Sequence, residues 1–154
     1  MQQGSILNLP PRVKFLEALG ALADGRVEVM NDKEALVRSS EGDRVYKVYV
    51  DADKGIAFSD DNGTVHRNYV GYPIVALLIR QGRLPYDGEL AEALKGLRWR
   101  ELNETYKNYR RVEEEVKKMV GERGIQPSRV DEYISKSREA LAKLRLRKTA
   151  QLTL

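Results

Sequence analysis

The sequence predicts an α+β fold: an N-terminal helix, a small antiparallel β-meander of four or five strands, then a buried helix and a C-terminal helical part with two longer helices. Three observations predict it. Apolar residues recur at helical spacing before residue 24, at a period of two between residues 26 and 69, and at helical spacing again after residue 72. Turn residues fall where the period changes. Strands and helices form separate blocks: one helix, a small sheet, then four helices.

Pro10 and Pro11 open the first helix, where a missing N–H costs nothing, and Asp24-Gly25 closes it. Strands are expected at 26–30, 35–39, 44–50, 56–59 and 64–69. Asn62-Gly63 reads as the tip of the last hairpin, because both central residues of a type I′ turn need positive φ. Tyr72-Pro73 starts a helix to about Gln81 that is apolar on every side and therefore belongs in the centre of the core. Asp87 caps a short helix over 89–95. A long helix is expected over 98–122, with Tyr106 and Tyr109 on its apolar stripe. Ser128 with Asp131 forms a capping box for the last helix. This organisation divides into a single α+β domain over 1–124, a basic helix over 125–148 that either docks or projects, and a fraying tail over 149–154.

Zero Cys excludes disulfides, thiolate metal sites and a Cys nucleophile. With charged residues at 32%, mostly Lys, Arg and Glu on helices, the composition fits a thermophile's protein. The longest apolar run, 74–79, is too short to cross a bilayer, and 4–11 lacks the pattern of a signal peptide. A cytoplasmic protein with no membrane partner is expected.

The charge is lopsided. Residues 1–50 are balanced, 51–94 sum to −3 and 95–154 to +7. Such an end attracts an anionic partner, most plausibly nucleic acid. Arg98, Arg100, Lys107, Arg110 and Arg111 on the long helix, with Lys143, Arg145, Arg147 and Lys148 on the last, are the candidate phosphate contacts. Glu113, Glu114 and Glu115 face Lys117 and Lys118 across helical turns, so the unmatched excess gathers at 143–148. Val130, Ile134, Leu141 and Leu144 form a narrow apolar stripe that suits docking at home, a protein partner or a homodimer. His66, the single histidine, has Asp60 and Asp61 nearby as orienting groups. No phosphate loop, dinucleotide fingerprint or nucleophile elbow is present, and 51–62 lacks the carboxylates of a calcium loop. No enzyme, cofactor or metal is therefore expected.

Residues 69–125 carry an apolar helix ending in Gly82-Arg83-Leu84, an opening Trp99-Arg100-Glu101-Leu102, and a helix closing on Arg123-Gly124. This pattern resembles the small N-terminal domain of archaeal tRNA-splicing endonucleases, over less than half of the chain. In that family the Arg-Gly turn leads to a β-rich catalytic domain with Tyr, His and Lys. Here it leads to Gln126-Pro127 and one helix, so no catalytic residue carries over. The resemblance implies an RNA-processing accessory or structural role. The expected function is thus non-enzymatic nucleic-acid association through the basic C-terminal helices. The alternative is a structural or interaction subunit of a protein or RNA-processing complex, associating through its last helix.

Overall fold

The computed structural model describes residues 4–149. The chain runs α1 (Val13–Ala23), β1 (Val27–Val29), β2 (Glu34–Arg38), β3 (Val45–Asp51), β4 (Ile56–Ser59), α2 (Asn62–His66), α3 (Tyr72–Arg80), α4 (Gly88–Leu94), α5 (Trp99–Tyr106), α6 (Tyr109–Glu122), α7 (Pro127–Leu144) and β5 (Arg147–Lys148). The fold is α+β, as the periodicity predicts. The strands lie in the order β1-β2-β3-β4-β5. β1 to β4 form the antiparallel meander, and β5 joins β4 in parallel.

The core is organised around α3. Pro73 pre-sets its first turn, and every residue from 73 to 79 is buried. A helix without a polar face must be covered on all sides. On one side it meets the inward row of the sheet, where Ala35, Val37, Val48, Val50 and Ala57 are fully buried. On another it meets α1, whose Phe15, Leu16 and Leu19 are equally buried. α4 and α6 pack against α1 in turn. Gly82, at φ +76°, lets the chain leave α3 through the left-handed region, and the buried Leu84 seals the exit.

α7 lies on this body and shares its core. Val130 and Ile134 have no exposed surface and Leu141 is 3% exposed, while Leu144 is half-buried against the same cluster. The stripe proposed as a partner interface is therefore intramolecular packing. Ion pairs anchor it further. Arg12 reaches Glu113 at 3.0 Å and Asp131 at 2.7 Å, and Lys117 reaches the same two carboxylates at 3.2 and 2.7 Å. Asp131 thus serves this network rather than a capping box. The residue before the helix is Gln126, which makes no side-chain cap, and Pro127 opens the first turn.

Two other expectations are corrected. The long helix over 98–122 is two helices, because Lys107 sits at φ +51° and the Asn108 side chain caps α6 by accepting from the Arg111 N–H at 3.2 Å. The hairpin at Asn62-Gly63 is instead the start of α2. Asp61 precedes it, and its buried carboxylate accepts from the Thr64 N–H at 3.2 Å and from Thr64 Oγ1 at 2.8 Å. An aspartate three residues before a backbone N–H competes directly with the hairpin reading.

Leu78→Ala, in the centre of α3, is expected to cost about 3 kcal/mol in urea denaturation. The α6–α7 clamp is expected to weaken in acid. Burial pushes the Glu113 pKa up, but the hydrogen bonds from Arg12 and Lys117 outweigh it and the net shift is down. The hydrogen bond from Lys117 leads the lowering at Asp131. Depressed carboxylates stabilise the fold above their ordinary pKa of about 4 and lose that contribution as pH falls through their folded values. Glu113→Gln should flatten the acid limb of urea midpoint against pH.

Candidate nucleic-acid interface

The candidate phosphate contacts do not form one surface. Arg100 holds Asp43 through two hydrogen bonds of 2.9 and 2.6 Å. Those bonds keep the Asp43 carboxyl well below the usual carboxylate range, so this arginine is engaged at home. Arg98 lies 3.6 Å from Glu101, Arg110 3.7 Å from Glu114, and Lys143 3.6 Å from Glu139. The Arg111 guanidinium stands 5.6 Å from the centre of the Tyr106 ring. Lys107 is exposed at the break between α5 and α6. These residues are a solvated helix surface with local pairs.

The end of the chain differs from the helix expected over 125–148. Arg145 takes φ +47° and ends α7, and Leu146 is buried 2% exposed as an anchor. Arg147 and Lys148 then form β5. The N–H of Arg147 donates to the Gly55 carbonyl at 2.8 Å, and that of Thr149 to Ala57 at 3.0 Å. On its other side β5 meets residues 4–8: Leu7 N–H donates to Leu146 at 2.8 Å and Lys148 N–H to Ser5 at 3.0 Å. Asn8 in turn bonds Asn68 and Val70. Thr149 is buried rather than frayed, and residues 150–154 of the expected tail lie outside the described residues.

Three segments therefore meet at one corner: 4–8, 64–70 and 145–148. They carry Arg67, Arg145, Arg147 and Lys148 and no acidic residue. Arg67, Arg145 and Arg147 are exposed and have no carboxylate partner among the described residues. Lys148 is committed, since its ammonium donates to the Thr64 carbonyl at 3.0 Å at the end of α2. His66 ends α2 and is exposed. Its two expected partners are occupied: Asp61 caps α2, and Asp60 accepts from the Lys47 N–H at 2.9 Å.

The corner borders an uncovered sheet face. α3, the helix that touches all four strands of the meander, packs on the inward row, and residues of opposite parity face outward. Register places Tyr49 opposite Phe58, Lys47 opposite Leu36, and Arg147 beside Ile56. Tyr49 and Phe58 are half-buried and Lys47 is exposed. The β1–β2 side of this face carries Glu28 and Glu34; on the β3–β5 side Lys47 and Arg147 are exposed, and Asp51, on the same row, is buried and paired with Lys33 at 3.3 Å. The sequence marked 44–50 and 56–59 as strands, but only the pairing register puts Tyr49 and Phe58 on one face. Nothing in the sequence marked Arg147 as their neighbour, because β5 is only two residues long and gains its order from β4.

The family model described as "Uncharacterised conserved protein UCP014422" matches residues 7–147. The chain belongs to this family. The matched stretch runs from Leu7 to Arg147 and so takes in α1 to α7 and the whole meander. No curated protein and no solved structure matches the chain. No described helix is long and apolar enough to cross a membrane.

Lys148→Met is expected to lose about 1 kcal/mol of stability in urea denaturation, the worth of its bond to the α2 carbonyl. Arg145→Ala, whose side chain holds no carboxylate, should fall within about 0.5 kcal/mol of wild type.

Proposed function

We propose that this protein is a non-enzymatic nucleic-acid-associated protein that holds a single strand across the β3–β5 half of its open sheet face. The observation that carries the reading is the placement of Arg147, with Arg145 and Arg67 close by, at the edge of an uncovered face bearing Tyr49 and Phe58. Unpaired guanidiniums bind phosphates and release counterions. Aromatic rings on a sheet give bases a surface to stack on. A single strand suits this arrangement because its bases are free to stack, whereas a duplex offers the sheet only its backbone.

RNA is the preferred strand. The resemblance to the endonuclease N-terminal domain supports this, since its three motifs fall on α3, α5 and the end of α6, after a four-stranded meander. Within that stretch Arg123 donates to the Ala93 and Lys95 carbonyls at 2.7 and 2.9 Å, so the Arg-Gly pair has a structural task.

Fluorescence anisotropy with a labelled 20-nucleotide RNA, at two salt concentrations, tests the reading. Lys47→Ala/Arg145→Ala/Arg147→Ala should weaken binding at least about tenfold and reduce the salt slope by about 2, at roughly 0.7 per lost contact on a single strand. Arg98→Ala/Arg110→Ala/Lys143→Ala removes the same charge and should change little. Equal losses in the two variants would place binding elsewhere, and no binding by wild type at low salt would end the reading.

A further inference from the structure

A second feature lies on the other side of the sheet. Glu17 on α1, Arg26 before β1, Tyr46 on β3, Tyr72 at the start of α3, and Trp99 and Asn103 on α5 line a cavity of about 450 Å3. Tyr46 pairs with the fully buried Val37, so it projects from the inward row, away from the open face. The volume is that of a small-molecule site.

Its inner charges are already matched, while Glu104 and Lys107 stand exposed at its rim. Glu17, 3% exposed, lies 2.8 Å from the Lys14 ammonium and accepts from Asn103 Nδ2 at 2.8 Å. Burial alone would lower the Lys14 pKa, but the Glu17 charge and hydrogen bond more than offset it and the shift is upward. Arg26 lies 3.3 Å from Asp24, and Arg100 at the wall lies 2.6 Å from Asp43. A charged group carried to the inner wall would have to break one of these pairs.

Hydrogen-bonding capacity is nevertheless left over. The Arg26 side chain is 10% exposed, and it donates through Nε to Asp24 and through Nη1 to the Arg38 carbonyl at 2.7 Å. Its Nη2 is buried without a partner. Asn103 Oδ1 is a buried acceptor without a partner. Leaving such groups unpaired is costly, so a ligand that satisfies them is favoured. Tyr46 and Tyr72 stand edge to face at 6.1 Å, and with Trp99 they give the cavity aromatic walls.

We propose that this cavity binds a neutral planar heterocycle of the nucleobase class. A base presents an acceptor to Arg26 Nη2, an N–H to Asn103 Oδ1, and π-faces to the aromatic walls. It brings no net charge to an inner wall whose ion pairs are complete. The base belongs either to a free nucleoside or to a nucleotide of a bound strand. The inference does not depend on the open face, since none of the six residues lies on it.

Trp99 is the chain's only tryptophan and lines this cavity, so one indole N–H resonance serves as its reporter. Titration of the 15N-labelled full chain with adenosine, guanosine, cytidine and uridine should give a saturable shift with at least one of them. Asn103→Leu should weaken that binding about tenfold, the loss expected for one hydrogen bond. Ser40→Phe at the loop wall should block it by filling the space, which keeps the test decisive if Asn103→Leu does not fold. A shift produced only by a 20-nucleotide RNA, and lost in Ser40→Phe, assigns the base to a bound strand. No shift with any nucleoside or with the RNA overturns the proposal, as does undiminished binding by the folded variants. Salt-dependent RNA binding should be unchanged in these variants if the site takes free nucleosides, so failure here and failure of the open face are read separately.

Discussion

The whole arrangement depends on the burial of α3. From Pro73 to Ile79 this helix has no polar side chain to offer water, so it must be enclosed. The sheet encloses it from one side, and α1 from another. α4, α6 and α7 then add to the layer begun by α1. The main helical layer is thereby tied to the α3 side of the sheet, and on the outward row Leu36, Tyr49 and Phe58 stay half-buried and Lys47 exposed. An open sheet face is thus a consequence of one apolar helix, at about 25 cal/mol for each Å2 of apolar surface removed from water.

The same geometry decides what the positive charge means. Helix surfaces place side chains three or four residues apart next to each other, so Arg110, Lys118, Lys136 and Lys143 find carboxylates along their own helices. The turn-and-strand segment after Leu144 has no such neighbours. Its arginines enter a corner built from residues 4–8 and 64–70, where the chain supplies no acid. Of the +7 over 95–154, Arg145 and Arg147 are the guanidiniums that gather at one sheet edge, while Lys95, Lys107 and Arg138 stand exposed on the helical part.

Much of the fold was legible in the sequence. The period changes located α1, four strands, α3 and the beginning of α4 at Asp87, whose carboxylate accepts from the Leu90 N–H at 3.1 Å. What escaped the sequence was set by short competitions and by tertiary pairing. Asn62-Gly63 suits a hairpin, but Asp61 caps a helix there instead. Residues 98–122 keep a helical period through a break that Lys107 and Asn108 introduce in two residues. The apolar stripe of α7 was visible, whereas the surface it would meet was not. The candidate site was half legible: its arginines were marked by missing acidic neighbours, but Tyr49 and Phe58 became relevant only when β5 was found beside them.

The central claim is that the open face, and not the basic helices, receives the strand. Backbone amide shifts of the full chain, mapped during titration with a 20-nucleotide RNA, test it most directly. The account predicts the largest perturbations at Lys47, Tyr49, Phe58, Arg145 and Arg147. Perturbations confined to Arg110, Lys118, Arg138 and Lys143, with the sheet unmoved, would contradict it.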